Sequence, residues 1–180
     1  MVRYQMQPTG DERVAATYWP ASLDTPRNPV GFTLLMMLHP RCPCSRASLH
    51  ELEVLLARAP QDVDARIVFV QPPNAPPDWR SDGDLMSIAK HITAARLVID
   101  DHASLATALG ATTSGQVLLY DRSGRLVFSC GITDGRGHEG DNPSLVLLLD
   151  ILRGNAKAPA ASKVYGCSLG VCTSAWKGNS

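Results

Sequence analysis

Apolar residues recur along this chain with two different periods. Residues 31–38, GFTLLMML, are apolar on both faces, the pattern of a strand covered on both sides of a sheet. Pro40 stops that strand. From Ser45 the period changes: Leu49, Leu52, Leu55 and Leu56 recur at helical spacing and predict a helix ending near Arg58, before Pro60. Residues 65–70, ARIVFV, read as a second buried strand, followed by a stiff proline-rich loop, QPPNAPPD. Leu85, Ile88, Ala89 and Ile92 share one face of a helix predicted over 82–94, and 96–99 form a third short strand. A short helix over 102–109 ends at Gly110, a good C-cap. Residues 116–120 and 125–129 flank Asp121-Arg122-Ser123-Gly124, the turn chemistry of a β-hairpin. A glycine-rich loop over 131–143 then leads to a last helix over 144–152, ended by Gly154.

The order is β-α-β-α-β-(α)-β-β-α, which predicts an α/β domain over 30–154 with a central mixed sheet flanked by helices. Residues 1–29 form a lead-in, irregular because of Pro20, Pro26 and Pro29, with one short edge strand at most. Residues 155–180 form a small, polar tail that carries Cys167 and Cys172.

Composition narrows the partners. Lys plus Arg and Asp plus Glu both number 17, so formal net charge is zero, which argues against nucleic acid or an anionic membrane as the main partner. The apolar run Leu34–Leu38 is far shorter than the roughly 20 residues that span a bilayer. The opening MVRYQMQPTGDERV lacks an apolar h-region, so it does not read as a signal peptide.

The five cysteines, at 42, 44, 130, 167 and 172, are an odd set with no CxxC…CxxC zinc framework. They point to redox or metal chemistry more than to structural staples. Cys130, at a strand end, is expected to be a small buried apolar residue. Cys42 and Cys44 lie where the first strand hands over to its helix. The unpaired amides and positive dipole end of a helix start favour a thiolate over a thiol. That lowers the pKa below about 8.5 and makes the sulfur a nucleophile for disulfide exchange. A nucleophile of that kind is expected to be open to solvent.

At this junction the chain resembles the thioredoxin-like superfamily, whose layout is a βαβ unit followed by a ββα unit. On the family's aromatic-Cys-x-x-Cys-basic motif, Arg41-Cys42-Pro43-Cys44-Ser45-Arg46 puts Cys42 at the nucleophile position and Ser45 at the usual resolving position. Cys44 falls between them, a CxC variant. The family's cis-proline before the hairpin corresponds to about Gly115, in TTSGQ. More narrowly, HPRCPCSRASLHEL, TSGQVLLYD, GITDGRGHEG and YGCSLG resemble the RedB-like bacterial proteins. That resemblance implies a redox protein acting on a protein or small-molecule disulfide or thiol, periplasmic or membrane-anchored outside the cytoplasm.

Topology adds neighbours. The second hairpin strand returns toward the first cysteine, so the loop after it brings Arg136, His138 and Glu139 within reach. Arg136 or protonated His138 would stabilise a thiolate further. Trp79, in the loop after the second strand, would offer an apolar platform at the same rim. Three pairings stay open. Cys44 is nearest to Cys42, across a small strained ring. Cys167 follows a tail that reaches up to roughly 40 Å when extended. Cys167 and Cys172 could instead bridge locally, or no stable disulfide forms.

The first reading needs no cofactor. The alternative is copper or zinc held by Cys42, Cys44 and a histidine, His39 or His138, because thiolates prefer soft metals. The family's copper-assembly motif, Cys-x-x-x-Cys, is not matched, and residues 111–116 contain no histidine. The peroxidase motif Pro-x-x-x-Thr/Ser-x-x-Cys also fails at Leu35 and His39. RGHEG lacks zincin spacing. His50 and Glu51 are expected on the solvated face of the first helix.

Overall fold

The computed structural model describes residues 15–76, 79, 84–140, 142–156 and 163–170. Among them run β1 (Thr33–Leu38), α1 (Ser45–Arg58), β2 (Asp64–Val70), α2 (Asp84–His91), β3 (Ala95–Asp100), a 3-10 turn (Asp101–Ala103), α3 (Ser104–Leu109), β4 (Gln116–Tyr120), β5 (Leu126–Gly131) and α4 (Pro143–Leu152). The sheet has five strands in the order β3-β2-β1-β4-β5. β1, β2 and β3 are parallel, and β4 and β5 are antiparallel additions. This is the mixed α/β, thioredoxin-like layout that the element order implies.

Every residue of β1 is buried because the strand lies between β2 and β4 with a layer on each face. Leu34, Met36 and Leu38 pack with Leu49, Leu52 and Leu55 of α1 and with Leu145, Leu148 and Leu149 of α4. Cys130 belongs to the same layer, as a buried core residue. Leu35 and Met37 point the other way, to Leu105 and Leu109 of α3 and to Leu169 of the tail. The tail therefore contributes to the second layer.

Three local readings change. Arg125 belongs to the hairpin turn, because the Asp121 carboxylate accepts from the amides of Ser123 and Arg125 and from the Ser123 hydroxyl. Arg125 forms an isolated bridge to Tyr18, which among the described residues stands where an edge strand of the lead-in is expected. The helix over 102–109 breaks at His102 and Ala103, both left-handed, with φ of 61° and 53°. The Asp100 carboxylate caps the remainder by accepting from the amides of Leu105 and Ala106 and from the Ser104 hydroxyl. Gly110 closes that helix in the left-handed region, as its position predicts.

Glu51 is the clearest departure. It is buried, at 4% exposure, while His50 beside it is exposed. Its carboxylate accepts the Gly140 amide at 2.7 Å and so ties α1 to the loop that follows β5. A helical wheel places Glu51 on a polar face, but that face is covered by a loop whose path the local sequence does not encode. Among the described residues, no helix is long and apolar enough to cross a membrane.

Candidate functional site

The junction between β1 and α1 is a tight turn. The Cys42 amide donates to the His39 carbonyl and the Ser45 amide to the Cys42 carbonyl. Cys44 occupies the N-cap of α1 with helical angles and no side-chain cap, so apart from the Ser45 amide the amides of the helix start have no partner from a capping side chain. One of them, from Cys44 itself, donates to the sulfur of Cys42. The helix start thus acts on Cys42 through the Cys44 amide, though it is not the strongest influence there.

That influence is Cys167. Its S–H hydrogen-bonds the Cys42 sulfur and, against the opposing cost of burial, leads the fall of the Cys42 pKa from 9.0 to about 4. The Ser45 hydroxyl, the Cys167 amide and the Cys44 amide add to the same fall. Cys167 is pushed up in turn, first by that bond to the Cys42 sulfur and then by burial. Cys44 is also raised, first by burial and then by the negative charge of Cys42, with Arg136 opposing both. The three sulfurs are therefore unequal: the surroundings favour the thiolate at Cys42 and the thiol at Cys44 and Cys167.

The tail reaches Cys42 by strand pairing. The Ser114 amide donates to the Cys167 carbonyl at 2.8 Å, and the Leu169 amide to the Thr112 carbonyl at 2.8 Å. Thr113 and Ser168 face each other in an antiparallel bridge. Cys42 accordingly has 0% exposure. The expected open nucleophile is covered, and part of the cover is a peptide segment from the far end of the chain. Residues 163–166 lead into Cys167, which sits against Cys42. Cys172, the other candidate partner of Cys167, lies outside the described residues. Cys42, Cys44, Cys130 and Cys167 form no disulfide in this structure.

Ser45 and Ser114 share a hydrogen bond at 2.7 Å, and Ser114 also accepts the His39 amide at 2.8 Å. Gly115, at the expected proline position, takes φ of +89° and donates its amide to the Met37 carbonyl. No cis peptide bond occurs among the described residues. The left-handed angle favours glycine at 115, and a Cβ there would lie 2.8 Å from the Ser48 hydroxyl, which would have to turn away. The amide that proline would lack is used here to anchor the loop to β1.

The other predicted residues divide. Arg136 acts on Cys44, by a hydrogen bond as well as by charge, and its charge also bears on Cys167. It is not among the groups that lower Cys42. His138 is exposed, and its recorded contact is its own amide to the Gly135 carbonyl. Glu139 is exposed as well. Arg46 turns away from the sulfurs to pair with Asp84 of α2 at 2.9 Å. Trp79 stands at the rim, its ring 4.3 Å from His39 and 6.0 Å from the Arg41 guanidinium, with its N–H on the Val70 carbonyl. His39 is held below its usual pKa, chiefly by burial, while the Cys42 charge pulls the other way. No group of three or more His, Cys, Asp or Glu side chains arranged to hold a metal occurs among the described residues, the set Cys42, Cys44 and His138 included.

Comparisons with known proteins bear on the fold. No family model matches the chain, and no curated protein matches it. A hypothetical protein from Sinorhizobium meliloti is similar at 21% identity and a TM-score of 0.60, over 81% of each chain. An uncharacterized conserved protein from Geobacillus kaustophilus is similar at 20% identity and a TM-score of 0.63, over 92% of this chain and 100% of its own. A thioredoxin-like protein solved in its oxidized form aligns at 14% identity and a TM-score of 0.49, over 86% of this chain and 99% of its own. The first two likenesses concern the shared fold alone, and the third is too distant to add to them.

Proposed function

We propose that this chain is a thiol–disulfide oxidoreductase, or a redox protein of that kind, with Cys42 as its nucleophile. The observation that carries this reading is the set of donors on the Cys42 sulfur: the Cys167 and Ser45 side chains and the Cys167 and Cys44 amides. A sulfur given four donors is held as a thiolate, and the thiolate is the form that attacks disulfides. The CxC motif and the neighbouring stretches that resemble the RedB-like proteins support the same chemistry.

In the reaction, the Cys42 thiolate attacks one sulfur of a substrate disulfide, and the other leaves as a thiolate. Cys44 or Cys167 then loses its proton and attacks the Cys42 sulfur. The second substrate thiolate departs, and an intramolecular disulfide remains. The substrate gains two electrons and the chain loses two. Arg136 beside Cys44 and Cys167 favours the deprotonation that either resolving thiol requires.

Reduction of a model disulfide, with mass spectrometry of alkylated protein, tests this. Cys42→Ser should abolish turnover. Of Cys44→Ser and Cys167→Ser, the one that removes the resolving sulfur should accumulate the mixed disulfide on Cys42. Full activity in Cys42→Ser would reject the assignment.

A further inference from the structure

The tail segment makes a series of contacts across the end of the sheet. A Cβ on Gly131, at the end of β5, would lie 3.3 Å from the Lys163 carbonyl oxygen. The Tyr165 carbonyl lies over Gly115. Gly166 is pressed on the Ser114 carbonyl so closely that a Cβ there would sit 1.8 Å from its oxygen. Cys167 accepts the Ser114 amide through its carbonyl and turns its amide and S–H to Cys42. Leu169 donates its amide to Thr112 and buries its side chain completely, at 0% exposure, among Leu35, Met37, Leu105 and Leu109. Gly170, with φ of +71°, closes the segment against Pro72.

These contacts are those of a bound peptide. Backbone pairing on the Thr112–Ser114 edge supplies register, a pocket takes one side chain, and a close approach excludes any residue but glycine at another. We propose that Gly166–Leu169 is a built-in occupant of a peptide-docking site on the redox centre. The partner that replaces it is an extended, cysteine-bearing peptide with glycine just before the cysteine and a leucine-like residue two positions after it. This deepens the redox reading and rests on it for the role of the cysteine. Alternation along a strand explains the pattern: Cys167 and Leu169 face the protein, Ser168 faces out. It also explains why Cys42 is covered. The tethered segment holds the site until a matching segment competes for it.

A synthetic peptide of residues 163–170 carrying Cys167→Ser, with a fluorescent label, tests the docking site without thiol chemistry. The full wild-type chain should bind it weakly, because its own segment competes. Gly166→Val in the full chain should expel that segment and tighten peptide binding by about tenfold or more, as removal of a competing closed state does. The same Gly166→Val change in the peptide, or Leu169→Asp in it, should abolish binding. Equal binding by wild-type and Gly166→Val chains, or by the original and altered peptides, would overturn the proposal. If the Gly166→Val chain does not fold, wild-type protein suffices. Excess unlabelled peptide should speed alkylation of Cys167, and the Leu169→Asp peptide should not. Unchanged Cys167 alkylation would overturn the proposal equally. A chain that binds the peptide but reduces no disulfide rejects the redox function alone. A chain that reduces disulfides but neither binds the peptide nor releases Cys167 rejects the docking site alone.

Discussion

Cys167 meets Cys42 twice, through its side chain and through its own backbone amide. The two contacts have different origins. The amide is held by strand pairing, because the Cys167 carbonyl on the same strand accepts from Ser114. The side-chain bond needs sulfur or oxygen at position 167. Cys167→Ala therefore removes the largest influence that lowers Cys42 and leaves the amide in place. The Cys42 pKa is expected to rise from about 4, by more than any other single change at the site. The pH dependence of Cys42 alkylation reads this, in a Cys44→Ser background, with the label at Cys42 resolved from that at the remaining cysteines by peptide mass spectrometry. An unchanged midpoint would show that the Cys167 side chain does not act on Cys42.

Ser45 stands where a resolving cysteine would stand in the thioredoxin motif, and here it donates to Cys42. Its oxygen also shares a buried hydrogen bond with Ser114. Ser45→Ala should raise the Cys42 pKa less than Cys167→Ala does. Loss of the Ser45–Ser114 bond should cost about 1 kcal/mol of stability, the usual net worth of one hydrogen bond, because Ser114 still accepts the His39 amide. Urea denaturation and alkylation on the same variant separate the two effects. A variant as stable as the parent would mean that Ser114 finds another partner.

Gly115→Ala should be more damaging than its size suggests. The left-handed φ of +89° strains any side chain, and the new Cβ would meet the Ser48 hydroxyl at 2.8 Å. A destabilisation of about 1–3 kcal/mol is expected from the backbone angle alone. Because the loop also carries Ser114, Cys167 should become easier to alkylate in the same variant. Ser48→Ala relieves the contact but not the angle, so the double variant should recover only part of the stability. Full recovery would assign the whole cost to the clash.

The sheet was legible because its signals are local. β1 and β2 are apolar on both faces, Pro40 and Pro60 punctuate, and Asp121 to Gly124 carry turn chemistry. The bounds of α1 follow from the recurrence of its leucines and from the proline beyond its end. The position of Cys42 at a helix start follows from the same pattern, and so does the Cys44 amide on its sulfur. What local pattern does not carry is contact between distant segments. Glu51 looks solvated on a helical wheel and is covered by the loop at Gly140. Arg136 comes to the centre from the loop after β5 but finds Cys44 in place of Cys42. The seating of the tail was least legible. Its signals were the stretch VYGCSLGVC, more apolar than a free end needs, and the glycines on either side of Cys167 and Leu169. Their meaning depends on the Ser114 carbonyl, some fifty residues away.

The depressed pKa of Cys42 has a thermodynamic consequence with a definite sign. In the unfolded chain the thiol titrates near its ordinary value of 9.0, and in the folded chain near 4. Between those values the unfolded state holds a proton that the native state lacks. Stability therefore rises with pH across the window. The contribution is complete above the unfolded value and vanishes as pH falls through the folded one. Cys167, whose pKa is raised, acts in the opposite sense only above its ordinary value of 9.0, so it leaves the window intact. Cys42→Ser removes the contribution. The melting temperature of the wild-type chain relative to Cys42→Ser should climb steadily from about pH 4 to about pH 9. His39 is held below its usual value of 6.5, chiefly by burial, and that usual value lies inside this range. Running the pair again in a His39→Asn background isolates the sulfur. A constant gap between the two chains across that range would mean that Cys42 is an ordinary thiol in the folded protein, whatever surrounds it.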